Sequence, residues 1–380
     1  MGPVTGAGPK AYGSGRNPSA SGFQLELTSI LHSKGFSIAI LHTNFNSLNP
    51  STLNPHFTYH SIPVGLTENE ASIKDPTLRL SILNAKCVEP FRECLAGLLS
   101  DDVNSEDPIA CLILDPIFDF TRSVAESFKL PRIVLRTGGA ASFTVYAAFP
   151  LLKEKGYLPI PDSRLEEPVT ELSPIKVKDL PVMPNCDPED FYQLITNMAN
   201  EPKASHELIF NTFEDLEGQA LATLRQEYYP NIPIFSLGPF HKCGHTTSSS
   251  STSLLAQNQS CISWLNTQAP KYVACVSFGS IAKIDQVQFL EVAWGLANSG
   301  QPFLWVVRLG LVQELDWFEA LPNGFLEALN ERAHVVKWAP QKEVLAHPAI
   351  GAFWTHCGWN STLESICDGV PMICTPCFRD

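Results

Sequence analysis

Apolar residues along this chain fall into two recurring patterns, helical stripes and short solid runs, and the two alternate. Leu25, Leu27, Ile30 and Leu31 lie on one helical face over Phe23–Leu31, the stripe closes at Lys34-Gly35, and Phe36–Leu41 follows as an apolar run of strand length. The same reading predicts a helix over Ser72–Leu99, a strand over Ala110–Leu114, a helix over Asp119–Phe128, a strand over Arg132–Arg136 and a helix over Ala140–Ala148. After an irregular Pro-rich stretch, Pro150–Pro184, come the strand Leu208–Asn211 and the helix Asp215–Glu227. Residues 242–257, with Thr246-Thr247 and Ser248–Ser251, carry no core-forming pattern and read as a polar linker. Beyond it the alternation restarts. Strands are predicted at Tyr272–Phe278, Phe303–Val307, His334–Trp338, Ala352–His356 and Met372–Thr375, with helices at Gln286–Asn298, Gly324–Asn330, Gln341–Ala346 and Ser361–Asp368.

Strand–helix alternation on both sides of a linker predicts an α/β protein of two doubly wound domains, 23–241 and 258–380. Such sheets bind ligands at the carboxyl ends of their strands, and two facing each other across a cleft suit two substrates. Residues 1–22 are rich in Gly, Ser and Pro without alternation, and read as a disordered tail. The length of 380 residues agrees with two domains, and 44% hydrophobic residues agree with a packed core. The net charge of −13 argues against nucleic acid or anionic membrane as partner. No apolar run reaches membrane-span length, the N-terminus has no signal-peptide core, and 11 scattered cysteines suit a reducing compartment, so the expectation is a cytoplasmic protein.

The chemistry concentrates between Trp338 and Asp380. Trp359 and Asn360 lie between a predicted strand and helix, and Asn360 or Ser361 would cap that helix. Its first turn offers N–H groups and a positive dipole end, which suit a diphosphate. His356 at the strand end could reach the same anion, Trp338 offers a flat face for a base, and Glu364 could accept from sugar hydroxyls. Singly, each has a plainer role: a Trp is more often core than platform, a strand-end His more often structural, an Asn-Ser start usually only a cap. Cys374-Thr-Pro-Cys377 has no second Cys or His pair at metal-ligand spacing and reads as structural.

Taken in order, Trp338-Ala339-Pro340-Gln341, His347, His356-Cys357-Gly358-Trp359-Asn360-Ser361, Glu364, Gly369-Val370-Pro371, Pro376 and Asp380 resemble the signature box of plant UDP-dependent glycosyltransferases, the secondary-product enzymes of GT-B fold. Tyr272–Ser280, Glu291–Leu296, Pro302–Val307, Leu31–Phe36 and Phe210–Glu214 are similar to further landmarks of that family. The resemblance implies that Trp338 stacks on uracil while the Ala339 backbone bonds its edge, and that Gln341 and Glu364 hold the ribose. Ser280, His356, Asn360 and Ser361 would hold the phosphates, Trp359 and Asp380 the sugar, and Thr137 would lie near the sugar and β-phosphate. It implies inverting transfer of glucose from UDP-glucose to a hydroxyl of a small plant metabolite or hormone. A His serves as base, oriented by an Asp matched here by Asp115, and no metal, further cofactor or protein partner is required. No metal-type Asp-x-Asp pair is present, which agrees.

Two departures stand out. In ungapped register from Leu31-His32 the family's base falls on Ala20, and neither its first strand nor its Gly-His turn is recognisable; His32 lies at the wrong end of the helix. The chain also stops at Asp380, before the Gln that usually ends the box, so it reads as truncated at both ends. A catalytically inactive UDP-sugar binder therefore stands as an alternative. A nicotinamide oxidoreductase is disfavoured for want of a Gly-x-Gly-x-x-Gly turn after a strand.

Overall fold

The computed structural model describes residues 4–7, 19–44, 54–102, 108–183, 186–243, 257–312, 321, 325, 329 and 332–377, with side chains from residue 24 onward. Two compact units emerge, in the main Ala20–Thr252 and Ser253–Cys377. The break falls among residues 244–256 of the expected linker, which lie outside the described set, as do most of the expected helix Gly324–Asn330 and Asp380.

The first unit holds a seven-stranded sheet of order β3-β2-β1-β4-β5-β6-β7. Its strands are β1 (Val4–Ala7), β2 (Ile38–Thr43), β3 (Thr58–Ile62), β4 (Cys111–Leu114), β5 (Arg132–Arg136), β6 (Glu207–Phe210) and β7 (Ile234–Ser236). All adjacent pairs are parallel. Alternate residues feed two cores. Leu112, Leu114, Val134 and Phe210 pack with Phe91, Phe143 and Phe149 on one face. Ile113, Leu135 and Ile209 pack with Leu27 and Phe240 on the other, where Leu25, Ile30 and Leu31 of the helix Ser19–Ser33 also lie.

This overturns the expectation that residues 1–22 form a structureless tail and that the first strand is missing. Val4–Ala7 is that strand, registered Val4↔Ile38 against β2 and Val4↔Cys111 against β4. Without it, β2 and β4 would each present an unpaired row of backbone N–H and C=O groups at the sheet's centre, which is costly to bury. A central strand draws its pairing from the backbone, so four residues suffice without the alternation that marks a half-exposed one. Ala20 consequently sits in the first turn of the helix that follows β1.

The second unit holds a five-stranded parallel sheet of order β10-β9-β8-β11-β12. Its strands are β8 (Val273–Ser277), β9 (Phe303–Val306), β10 (Ala333–Val336), β11 (Ile350–Thr355) and β12 (Met372–Cys374). Val273, Cys275, Leu304, Val336, Ile350 and Phe353 form one buried face with Cys261, Leu265 and Leu345. On the helix Gln286–Asn298, Phe289 stacks on the fully buried Trp305 of β9 at 5.1 Å. Among the described residues no helix is long and apolar enough to cross a membrane.

Candidate functional site

Chain direction across the second sheet reverses between β8 and β11, where open α/β sheets receive ligands beyond their carboxyl ends. Two turns meet there, Phe278-Gly279-Ser280 after β8 and His356-Cys357-Gly358 after β11. Gly279 has φ +66°, and a Cβ on it would lie 2.3 Å from Cε1 and 2.4 Å from Nε2 of His356. On Gly358 a Cβ would lie 2.5 Å from that same Nε2. The imidazole is thus enclosed between two positions where only hydrogen fits. Burial pushes its pKa down to about 4, the Ser277 backbone opposing and the Arg308 charge assisting, so His356 is neutral near pH 7.

The helix beyond it, Trp359–Cys367, opens at Gly358, with no side-chain cap and no acidic residue in its first turn. Asn360 and Ser361 are therefore first-turn residues, two and three positions past the cap rather than the capping residues expected. The first intrahelical bond runs from Thr362 N to Gly358 O at 3.0 Å, so the N–H groups of Trp359, Asn360 and Ser361 precede it and form the positive pole of the dipole. The side-chain oxygen of Asn360 is buried without a hydrogen-bond partner. A side-chain amide can turn over and present its NH2 at such a point, the donor an anion's oxygen takes.

Beyond β10 the chain passes through Trp338, whose carbonyl accepts from Asn258 N at 3.0 Å, and through buried Ala339 into the helix Gln341–Leu345. Gln341 Nε2 donates to Ser361 Oγ at 2.9 Å and to Glu364 Oε2 at 2.7 Å, joining the two helices. Glu364 is buried, so its carboxylate orientation is fixed before any ligand arrives. Gln341 thus groups Ser361 with Glu364.

In the first unit, Asp115 and Thr137 follow the adjacent strands β4 and β5 and are buried. Asp115 Oδ1 accepts from Ile117 N at 3.1 Å, which orients its carboxylate within the turn after β4. His32, set aside on sequence grounds, lies at the far end of its helix, stacked on His56 with ring centroids 5.5 Å apart. Sequence reasoning missed the glycine pair around His356 and the guanidinium of Arg308 beside it. Gly279 and Gly358, in the turns after β8 and β11, were the available signals.

A family model described as UDP-glucoronosyl and UDP-glucosyl transferase matches residues 80–380. UDP-glycosyltransferase 76B1 of Arabidopsis thaliana is 48% identical over 355 residues, 93% of this chain and 77% of that protein. UDP-glycosyltransferase 76F2 of the same plant is 46% identical over 369 residues, covering 94% and 77%. The structure of Phytolacca americana UGT2 complexed with UDP-2fluoro-glucose and pterostilbene superposes with a TM-score of 0.78 at 27% identity, over 99% of this chain and 80% of that one.

Proposed function

The chain belongs to the UDP-glucoronosyl and UDP-glucosyl transferase family, and we propose that the turns after β8, β10 and β11 are its UDP-sugar half-site. It is a plant-type UDP-glycosyltransferase of GT-B fold. Relatives over 93% of its length favour transfer over the inert-binder reading.

In this reading Trp338 carries the base and Gln341 and Glu364 hold the ribose hydroxyls. Ser280, His356, Asn360, Ser361 and the N-terminus of the helix Trp359–Cys367 hold the diphosphate, with Ser361 also bonded to Gln341. Trp359 and Asp380 contact the sugar, and Thr137 serves near it. The observation that carries the reading is the Gln341–Ser361–Glu364 set, already bonded beside an uncapped helix N-terminus. The acceptor is a small hydroxylated molecule, in keeping with the pterostilbene of the UGT2 complex. Its oxygen attacks the anomeric carbon and gives up its proton to solvent water, the C–O bond to the β-phosphate breaks, and UDP leaves with the electron pair. Charge on UDP is met by fixed N–H dipoles, so no metal is assigned a step. Asp115 occupies the register of the base-orienting carboxylate, while Ala20 occupies that of the base. The absence of a disulfide among the described residues fits a reducing, cytoplasmic location.

Incubation with UDP-glucose and a panel of phenolic and terpenoid alcohols should give glucosides by mass and release UDP. Glu364→Ala should raise the KM for UDP-glucose by about tenfold or more, one lost charge-assisted hydrogen-bond pair. A folded protein that binds UDP yet glucosylates nothing in the panel would sink the transferase reading and leave the inert binder.

A further inference from the structure

Arg308 stands two residues past the end of β9, beside the turn that follows β8. Its Nε donates to the Gly279 carbonyl at 2.8 Å, one Nη to the Ala282 carbonyl, and the other to the Leu309 carbonyl at 3.3 Å. All three acceptors are neutral, and no carboxylate of the described residues pairs with it. Partial burial holds its pKa down to about 10.

The trans peptide is planar, with its C=O and the following N–H pointing opposite ways. Because the Gly279 carbonyl points at Arg308, the N–H of Ser280 points away from it. Gly279 is also the residue on which a Cβ would meet the His356 ring at 2.3 Å. Arg308 therefore fixes, through one carbonyl, both the direction of the Ser280 amide and the wall that holds His356. Neutral donors could tether three carbonyls equally well. Among the described residues this partly buried cation has no carboxylate partner, and an anion arriving nearby would supply the missing counter-charge.

We propose that Arg308 is a positioning residue for the diphosphate of the UDP-sugar: it tethers the turn 279–282 so that the Ser280 amide faces the anion, and it supplies positive charge to UDP as UDP leaves. This rests on the reading of the second unit as the UDP-sugar site.

The test compares UDP with uridine, which shares base and ribose but lacks phosphate. Calorimetric titration of Arg308→Gln should show UDP affinity reduced about 30-fold or more, the scale for removing one member of a desolvated charge pair. Uridine affinity should stay within about twofold. With UDP-glucose, kcat should fall along with affinity, since charge on UDP grows toward the transition state. Arg308→Lys, which keeps the charge and loses the fork, should fall between the two, and it supplies the same UDP-to-uridine ratio if the Gln variant does not fold. Equal loss for UDP and uridine, or no loss for UDP, overturns the proposal. Failure of the unmodified chain to bind UDP marks instead a failure of the underlying site, which Trp338→Ala probes separately because it should weaken UDP and uridine alike.

Discussion

Gly279→Ala adds one methyl group at the most constrained point of the site. The new Cβ would lie 2.3 Å from Cε1, 2.4 Å from Nε2 and 3.0 Å from Nδ1 of His356, where ordinary contact begins at 3.4 Å. The ring must retreat by about 1 Å, and a group misplaced by about that much costs on the order of 10²-fold in rate, or about 2.7 kcal/mol. The backbone adds a second cost: at φ +66° an alanine is left-handed, worth about 1–2 kcal/mol of folding stability. The control is Gly295→Ala. Gly295 lies within the helix Gln286–Asn298, a Cβ there meets nothing within 4 Å, and alanine should stabilise by about 0.5–1 kcal/mol. Melting curves should move in opposite directions for the two variants, and kcat/KM for UDP-glucose should fall about 10²-fold for Gly279→Ala alone. A folded Gly279→Ala that turns over like the parent would refute the view that the glycine pair sets the position of His356.

Trp338→Ala should weaken UDP by about 1–3 kcal/mol, five- to hundredfold, by loss of base stacking; unchanged affinity in a folded variant would remove the platform from Trp338. Ala20→His should raise kcat about 10²–10⁴-fold by supplying a general base in the first turn after β1, read as initial rates of UDP release. No gain, in a protein whose kcat still falls on Asp115→Ala, would place the base elsewhere. His356 makes stability depend on pH. With its folded pKa near 4 against an unfolded value of 6.5, the unfolded chain binds more protons between these limits. Stability is full above pH 6.5 and falls toward pH 4 by at most about 3 kcal/mol, less after solvent screening. Urea unfolding of His356→Asn should lose this part of the pH slope, and an unaltered slope would contradict the burial.

Sequence periodicity located the strands that are buried on both faces, such as Arg132–Arg136 and Phe303–Val306, because they read as solid apolar runs. It missed Thr58–Ile62, whose Thr, His and Ser dilute the apolar signal, and Ile234–Ser236, too short to show a period. The helix Pro188–Asn200 was legible and overlooked: Asp187 caps it, Pro188 opens it, and Phe191, Tyr192, Ile195 and Met198 line one face. Residue types at the site could be read from their order. Their grouping could not, since the Gln341–Ser361–Glu364 bonds join two helices separated by β11. The glycine enclosure of His356 depends on a backbone dihedral that no side-chain pattern encodes.

β8 is bonded on both sides, to β9 and to β11, and Cys275 and Val276 are shut from solvent. Its amides should therefore exchange with deuterium only when the whole unit opens, whereas those of the turn 278–282 should exchange through local excursions. One labelling experiment then separates two quantities that melting curves merge. Slowing at Gly279 and Ser280 on adding UDP would report occupancy, and slowing at Cys275–Ser277 would report the gain in global stability. Their ratio would measure how far the turn 278–282 is ordered before the ligand arrives.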